Sequence, residues 1–491
     1  MIRTKILATL GPACPDVDSL ARLFDAGADL CRLNFSHGTL DNHLAMLRNI
    51  REAAARHDHP IAVLGDLCGP KIRVGKVDDI DQSGGMPIAA GDQLVIQRAP
   101  IVGNHGRIST NYPHFVDDVQ VGHRVLIEDG LLRFVCVEKN YNEVVCSCTS
   151  GGVIKSGKGI NLPNTTVGLP SITDQDWACV DWAIEHDLDY LALSFVRKPD
   201  ELHLLREHLR NRVSDIHIIA KIEKAEAIQS IDGIIEAADG LMIARGDLGV
   251  EMDVAQVPIL QKSLIRRAQA AGKPVIVATQ MLQSMIEHSS PTRAEVSDVA
   301  NAIFDGTDAV MLSGETSVGK YPVGAVHTMA HIAEVTETYL DSLPESLQPA
   351  LLTVPTMQLS TAVARGVRQI AADLKVSLVV LYSQTGATAR IFSKLRFHVP
   401  VVALSSDHRA LRRMALHFGV LPHEMPPPAD MNELVRNVDE LVTEKKLTSA
   451  GQRICIVAGA SLGTPGTLNG IVIHTVGEPD FGTITALPAY A

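Results

Sequence analysis

Between His217 and Asp247 a lysine and two acids close two successive apolar runs: Lys221 and Glu223 follow Ile218-Ile219-Ala220, and Asp247 follows Leu241 to Ala244. Side chains two apart on a strand share a face, so Lys221 and Glu223 point into one cavity and Asp247 arrives from the neighbouring strand. Two carboxylates without histidine or cysteine suit a hard cation, Mg²⁺ or Mn²⁺, and leave its other positions to water and substrate oxygens. An ammonium beside them neutralises charge that develops on a substrate. A Lys-x-Glu is more often only a surface ion pair, so the surrounding elements have to decide between the two readings.

Eight short apolar segments recur with helical stretches between them: Thr4 to Leu10, Ala28 to Phe35, Pro60 to Leu67, Leu188 to Phe195, His217 to Ile222, Gly240 to Ala244, Lys273 to Ala278 and Thr307 to Leu312. Most are continuous apolar runs, the pattern of parallel strands buried on both faces. Amphipathic stretches such as Glu201 to Arg210 after Pro199, and Val257 to Ala271 before Gly272, supply the helices. The alternation predicts a (β/α)₈ barrel. Polar residues gather at the C-terminal ends of these strands: Arg32, Asn34 and Ser36; Asp66; Lys221 and Glu223; Arg245, Gly246 and Asp247; Thr279 and Gln280; Ser313 and Glu315. That rim is the active face of such barrels, and six polar ends at one mouth favour a site over a surface ion pair.

Residues 72–168 are too long for a barrel loop and are rich in Val, Ile and Gly, with turn signals at Ser83-Gly84-Gly85, Asp129-Gly130 and Gly151-Gly152. They predict a small inserted β-barrel, which at the active rim acts as a lid. The catalytic barrel is accordingly assigned to 1–71 and 169–345, and a C-terminal doubly wound α/β domain to 346–491, with strands at Val376 to Tyr382, Val399 to Leu404, Ile454 to Ala458 and Gly470 to Val476. Two loops there suit phosphate: Ser383, Gln384, Thr385, Gly386, Ala387 and Thr388 run into a helix, and Ser461, Gly463, Thr464 and Gly466 lie in a run of small residues. Either alone reads equally as a tight turn; together they favour a regulatory site.

The chain has 491 residues and a net charge of −12 with the charges well mixed, which argues against nucleic acid as a partner. No apolar run approaches membrane length, and Met1 to Leu10 is too short and polar for a signal-peptide core. Eight cysteines without a Cys-x-x-Cys read as reduced thiols, and the expectation is a cytoplasmic protein. Gly314, Gly319 and Lys320 have P-loop spacing, but Tyr321 stands where Ser or Thr is required and Pro322 follows, so a Walker site is rejected. Thr292 and Glu295 form a helix capping box.

The segments Arg32-Leu33-Asn34-Phe35-Ser36-His37-Gly38, Gly69-Pro70-Lys71-Ile72-Arg73, Ala220-Lys221-Ile222-Glu223, Ala244-Arg245-Gly246-Asp247-Leu248-Gly249-Val250-Glu251 and Pro291-Thr292-Arg293-Ala294-Glu295 closely resemble those of pyruvate kinases. The resemblance covers essentially the whole chain and implies phosphoryl transfer from phosphoenolpyruvate to ADP. It implies Glu223 and Asp247 as ligands of Mg²⁺, Lys221 as the cation facing the transferring phosphoryl group, Arg73 as a second phosphoryl clamp and Arg32 as a nucleotide and phosphoryl contact. Thr279 corresponds to the residue beside the substrate methylene carbon, with Ser313 and Glu315 extending a proton relay. Backbone N–H groups from Ala244 through Arg245, Gly246 and Asp247 are expected to receive the substrate carboxylate. Asn34, Ser36 and His37 line the nucleotide side, and Lys158 reaches nucleotide phosphates from the lid unless its glycine loop simply leaves it solvated.

Many members of the family bind K⁺ through residues corresponding to Asn34, Ser36, Asp66 and the Leu67 carbonyl, beside a glutamate. Here that glutamate position is Lys71, and Leu67, Cys68 and Val74 also differ from the potassium-dependent pattern. An ammonium carries the charge K⁺ would carry, so activity is expected not to require K⁺; the alternative is that Lys71 caps the lid hinge and K⁺ still binds. The second C-terminal loop lacks the arginine or tryptophan expected for a bisphosphate, which favours a sugar monophosphate or AMP as effector. The resemblance also suggests a homotetramer. Two competing functions are a Mg²⁺-dependent lyase or mutase acting on phosphoenolpyruvate or 2-oxo acids, and a non-catalytic metabolite sensor.

Overall fold

Lys5–Thr9 pairs in parallel with both Leu30–Asn34 and Ala309–Leu312, and this last pairing closes an eight-stranded barrel. The computed structural model describes residues 2–57, 59–79, 84–163, 165–343, 358–459 and 468–478. The remaining five strands, in chain order around the barrel, are Ala62–Asp66, Tyr190–Leu193, His217–Ile222, Gly240–Ala244 and Val275–Ala278. All eight expected segments are strands; His217–Ile222 and Gly240–Ala244 keep the expected bounds and the other six are a little shorter than their apolar runs. Six of the eight are buried at every position, because helices cover the outside and side chains fill the inside.

The helices begin and end where local chemistry dictates. Pro199 opens Pro199–Asn211 at a position where its missing N–H is no loss, and Val257–Ala270 stops before Gly272, whose φ is +69°. The Thr292–Glu295 capping box forms, and Glu295 also accepts a hydrogen bond from the Ser284 amide at 2.7 Å. Lys320 pairs on the surface with Glu287, in keeping with the rejected P-loop.

The insert is predominantly β, as expected, with one short helix at Phe115–Asp118. Its strands form a six-stranded sheet with a separate two-stranded one, around a core that includes Leu94, Phe115, Val125 and Phe134. It is seated on the barrel rim through Asn161, whose amide donates to Glu251 at 2.9 Å, and through Arg197, which donates to the carbonyls of Val167 and Leu169.

The C-terminal domain is a five-stranded sheet with helices on both faces, its two cores built on Phe392 and Leu411 on one side and Leu434 and Val438 on the other. Two features correct the sequence reading. A fifth strand, Val420–Glu424, lies at one edge, where Pro422 is tolerated because only one side of the strand is paired. At the opposite edge Leu468–Thr475 runs antiparallel to Arg453–Gly459, and its alternating exposure befits a half-solvated strand. Ser461, Gly463, Thr464 and Gly466 lie outside the described residues. This domain plugs the foot of the barrel: Ala415 and Leu416 pack against Leu7, Leu64, Tyr190 and Met311 of the barrel interior, and the Tyr190 hydroxyl donates to the Arg413 carbonyl at 2.7 Å. Among the described residues no helix is long and apolar enough to cross a membrane.

Candidate active site

The expected convergence of Lys221 and Glu223 is present at the C-terminal rim. Lys221 Nζ lies 2.9 Å from Glu223 Oε1, 3.2 Å from Asp66 Oδ1 and 2.7 Å from Ser194 Oγ, so all three ammonium protons are engaged. Arg32 continues the chain, donating from Nε to Asp66 Oδ2 at 2.6 Å and from Nη1 to the Thr9 hydroxyl at 3.1 Å. Burial alone would lower the pKa of Lys221, but Asp66 and Glu223 outweigh it and raise the pKa above the ordinary lysine range. Lys221 is therefore a fixed cation. Burial would raise the Asp66 carboxyl, and the charges of Lys221 and Arg32 overcome that and hold it below the usual range.

Asp247 stands in the short helix Arg245–Glu251 after the sixth strand. Burial pushes its carboxyl up to about 6; the Glu223 carboxylate adds to the rise, while Lys221 and Lys71 oppose it. Two carboxylates that sense each other in a buried cleft are a site short of positive charge. Among the described residues no set of three or more His, Cys, Asp or Glu side chains is gathered for a metal, so the two-oxygen donor set suits a hard cation completed by water and substrate. Glu223 Oε2 is oriented by the Phe195 amide at 2.7 Å.

Thr279 has φ +70° and the next residue, Gln280, +56°, a strained conformation for a β-branched residue that a functional position can justify. Its hydroxyl donates to the Ala278 carbonyl at 2.6 Å and accepts from the Gly246 amide at 2.7 Å. A Cβ at Gly246 would stand 3.3 Å from that hydroxyl, so glycine is what admits the close approach. The Arg245 side chain turns out of the cleft, to Asp298 at 2.7 Å and the Thr279 carbonyl at 3.1 Å; only its backbone is left to face a substrate. Glu315 is buried and spans two loops, accepting from the amides of Ser313 at 2.7 Å and Leu282 at 3.0 Å. The Ser313 hydroxyl is buried without a partner among the described residues.

The other expected residues ring this centre without touching Lys221. Asn34 Oδ1 accepts from the Ser36 amide at 3.2 Å, and the His37 carbonyl meets His43 Nε2 at 2.9 Å. Arg73 donates to the Gly157 carbonyl at 2.9 Å, and Lys158 pairs with Glu128 at 2.6 Å, both on the lid. Lys71 passes beneath the lid: a Cβ at Gly159 would fall 2.7 Å from Lys71 Cε. Among the described residues its ammonium has no hydrogen bond or ion pair, yet it is close enough to Asp247 to oppose that carboxyl's rise. The Leu67 carbonyl accepts from Ser194 Oγ at 2.7 Å. Ser194 was not among the residues singled out from sequence, although it stands one residue past the strand Tyr190–Leu193, at the same rim where the polar ends of six other strands were noted.

In the C-terminal domain, Gly386 takes φ +77° and starts the helix Ala387–Lys394. The Gln384 side chain donates to Ser406 at 2.9 Å, its carbonyl accepts from Ser405 at 3.0 Å, and Thr385 is exposed.

A closed parallel barrel with this rim, an inserted β lid and an appended α/β domain defines a class of lid-bearing phosphotransferases. Family models named "Pyruvate kinase, barrel domain" and "Pyruvate kinase, alpha/beta domain" match residues 1–326 and 361–474. The chain is 42% identical over 482 residues to a pyruvate kinase of Geobacillus stearothermophilus, covering 97% of this chain and 81% of that one. It is 39% identical over 478 residues to the pyruvate kinase of Mycobacterium tuberculosis, covering 97% and 99%. The crystal structure of a pyruvate kinase from Cryptosporidium parvum superposes with a TM-score of 0.87 at 34% identity, over 97% of this chain and 96% of that one. The chain belongs to the pyruvate kinase family.

Proposed function

We propose that this enzyme transfers the phosphoryl group of phosphoenolpyruvate to ADP, giving pyruvate and ATP. The observation that carries the reading is Lys221, a largely buried permanent cation held between Asp66 and Glu223 with Asp247 across the cleft. Glu223 and Asp247 would hold Mg²⁺ or Mn²⁺, which when bound supplies positive charge for substrate carboxylate and enolate oxygens. Lys221 and Arg32 neutralise the transferring group as its bond to the enol oxygen breaks and a bond to the ADP terminal phosphate forms. Backbone N–H groups at Gly246 and Asp247 receive the substrate carboxylate, that of Gly246 in exchange for its bond to the Thr279 hydroxyl. Thr279 stands where the methylene carbon takes up its proton, and Ser313 with Glu315 extends that relay. Arg73 and Lys158 hold nucleotide phosphates from the lid, with Asn34, Ser36 and His37 beside them.

Lys71 serves in place of K⁺ near Asn34, Ser36, Asp66 and the Leu67 carbonyl. What supports this is that its ammonium has no partner among the described residues, together with its charge on the cleft. The 383–388 loop is the docking point of a phosphorylated effector, a sugar monophosphate or AMP, and the active assembly is a homotetramer.

The test is pyruvate release from phosphoenolpyruvate and ADP with Mg²⁺, in potassium-free buffer against KCl at matched ionic strength. Full turnover in both supports the reaction and the role of Lys71. Turnover only with KCl discards that role and keeps the reaction, while turnover in neither, with candidate effectors present, sinks the reading.

A further inference from the structure

Ser194 is buried to 2% exposure and sits between two positions that the proposed mechanism treats separately. Its Oγ is 2.7 Å from Lys221 Nζ, 2.7 Å from the Leu67 carbonyl and 3.4 Å from Asp66 Oδ1. A hydroxyl has one proton to give. The Leu67 carbonyl is the nearer acceptor and takes it, which turns a lone pair of Ser194 toward the ammonium. The backbone around it is crowded, since a Cβ on Gly69 would fall 3.2 Å from Ser194 Cβ. The hydroxyl is thereby fixed in place as well as in polarity.

Of the three partners of Lys221, two have other duties. Glu223 is a proposed metal ligand, and Asp66 is shared with Arg32 at 2.6 Å. Ser194 is the neutral one, and a neutral acceptor orients the ammonium without consuming the charge it must present to a substrate. We propose that Ser194 is the positioning residue for Lys221, keeping its ammonium aimed into the cleft and tying that aim to the Leu67 carbonyl. Without it the ammonium relaxes toward the carboxylates Asp66 and Glu223, away from the transferring group. A displacement of about 1 Å at a reacting centre is enough for a loss on the order of 10²-fold. The inference rests on the role given to Lys221 in the proposed function.

The experiment compares Ser194→Ala, Ser194→Thr, Lys221→Met and the double variant Ser194→Ala/Lys221→Met in the full-length enzyme. Steady-state kinetics give kcat and KM for phosphoenolpyruvate, and electron paramagnetic resonance gives the dissociation constant of Mn²⁺. Ser194→Ala is expected to lower kcat about 10- to 100-fold, with KM and Mn²⁺ affinity changed less than about threefold. Restoring a hydroxyl with Ser194→Thr recovers part of the loss. In the Lys221→Met background, Ser194→Ala has no more than about a threefold effect, because a residue that acts through another is not additive with it. An unchanged kcat in Ser194→Ala overturns the inference, as does an equal loss in both backgrounds or a Mn²⁺ affinity weakened in step with kcat. Turnover preserved in Lys221→Met is a different failure: it removes the catalytic role of Lys221 itself, and the inference falls with it.

Discussion

Lys394 places its ammonium 2.7 Å from Asp308, with both side chains closed off from solvent at 1% and 0% exposure. Lys394 ends the helix that follows the 383–386 loop, and Asp308 lies at the foot of the last barrel strand, where its second oxygen accepts from the Val275 amide at 2.9 Å. Burial pulls the Lys394 pKa down to about 8 against the pull of Asp308. One buried pair therefore joins the C-terminal domain to the strands that carry Thr279 and Ser313 at their far ends.

A buried pair is expected to be more damaging to break than to replace. Lys394→Met leaves Asp308 charged with only the more distant Arg396, 3.7 Å away, to compensate it, and should lower stability by about 3 kcal/mol, the low end for a broken buried pair. Lys394→Met/Asp308→Asn removes that charge, retains an acceptor for the Val275 amide, and should recover more than half of the loss. Urea unfolding followed by circular dichroism checks this; equal losses in the two variants would refute it.

Acid should destabilise the fold through His217. Burial pulls its pKa down to about 4, with Asp239 opposing and Arg413, Arg206 and Arg390 adding to the fall. The folded chain keeps this imidazole neutral, whereas the unfolded chain protonates near the ordinary value of about 6.5. Between those values the unfolded state binds more protons, so the stabilisation is whole above about pH 6.5 and is lost as pH falls toward 4. The contribution is about 3 kcal/mol. His417 is held neutral in the same sense, also by burial first. His217→Gln should give a visibly shallower fall in unfolding midpoint from pH 7 to pH 4.5 than the parent enzyme shows; parallel curves would count against it.

Lys71→Glu should convert the enzyme to potassium dependence. A carboxylate there restores a ligand and leaves a positive charge missing, so turnover without K⁺ should fall at least about tenfold and return on adding KCl, as expected when one fixed charge is withdrawn from a low-dielectric cleft. Indifference of the variant to K⁺ would show that Lys71 does not occupy that role.

Thr385→Ala/Thr388→Ala should reduce the activation ratio produced by a sugar monophosphate or AMP to one. Thr385 precedes the Gly386 cap and Thr388 lies in the first turn after it, so each substitution removes a hydroxyl donor beside the helix start, and an anion at a helix N-terminus depends on such donors. The comparison is turnover at low phosphoenolpyruvate with and without effector. Activation equal to that of the parent enzyme would place the effector elsewhere.

Much of this molecule was determined by the sequence itself. Continuous apolar runs made the eight barrel strands legible, because a strand buried on both faces has no polar side to blur it. The two-residue spacing of Lys221 and Glu223 put them on one face, since side-chain direction along a strand is a local property. The strand Val420–Glu424 was obscured by Pro422, which reads as a strand breaker until the sheet shows it at an edge. Pairings between distant residues were decided only by the tertiary structure: Ser194 against Lys221 and Leu67, Asp308 against Lys394, and Glu251 against Asn161. Those partners are 27, 127, 86 and 90 residues apart. Strand register and domain docking bring them within hydrogen-bond reach, and local pattern carries no information about either.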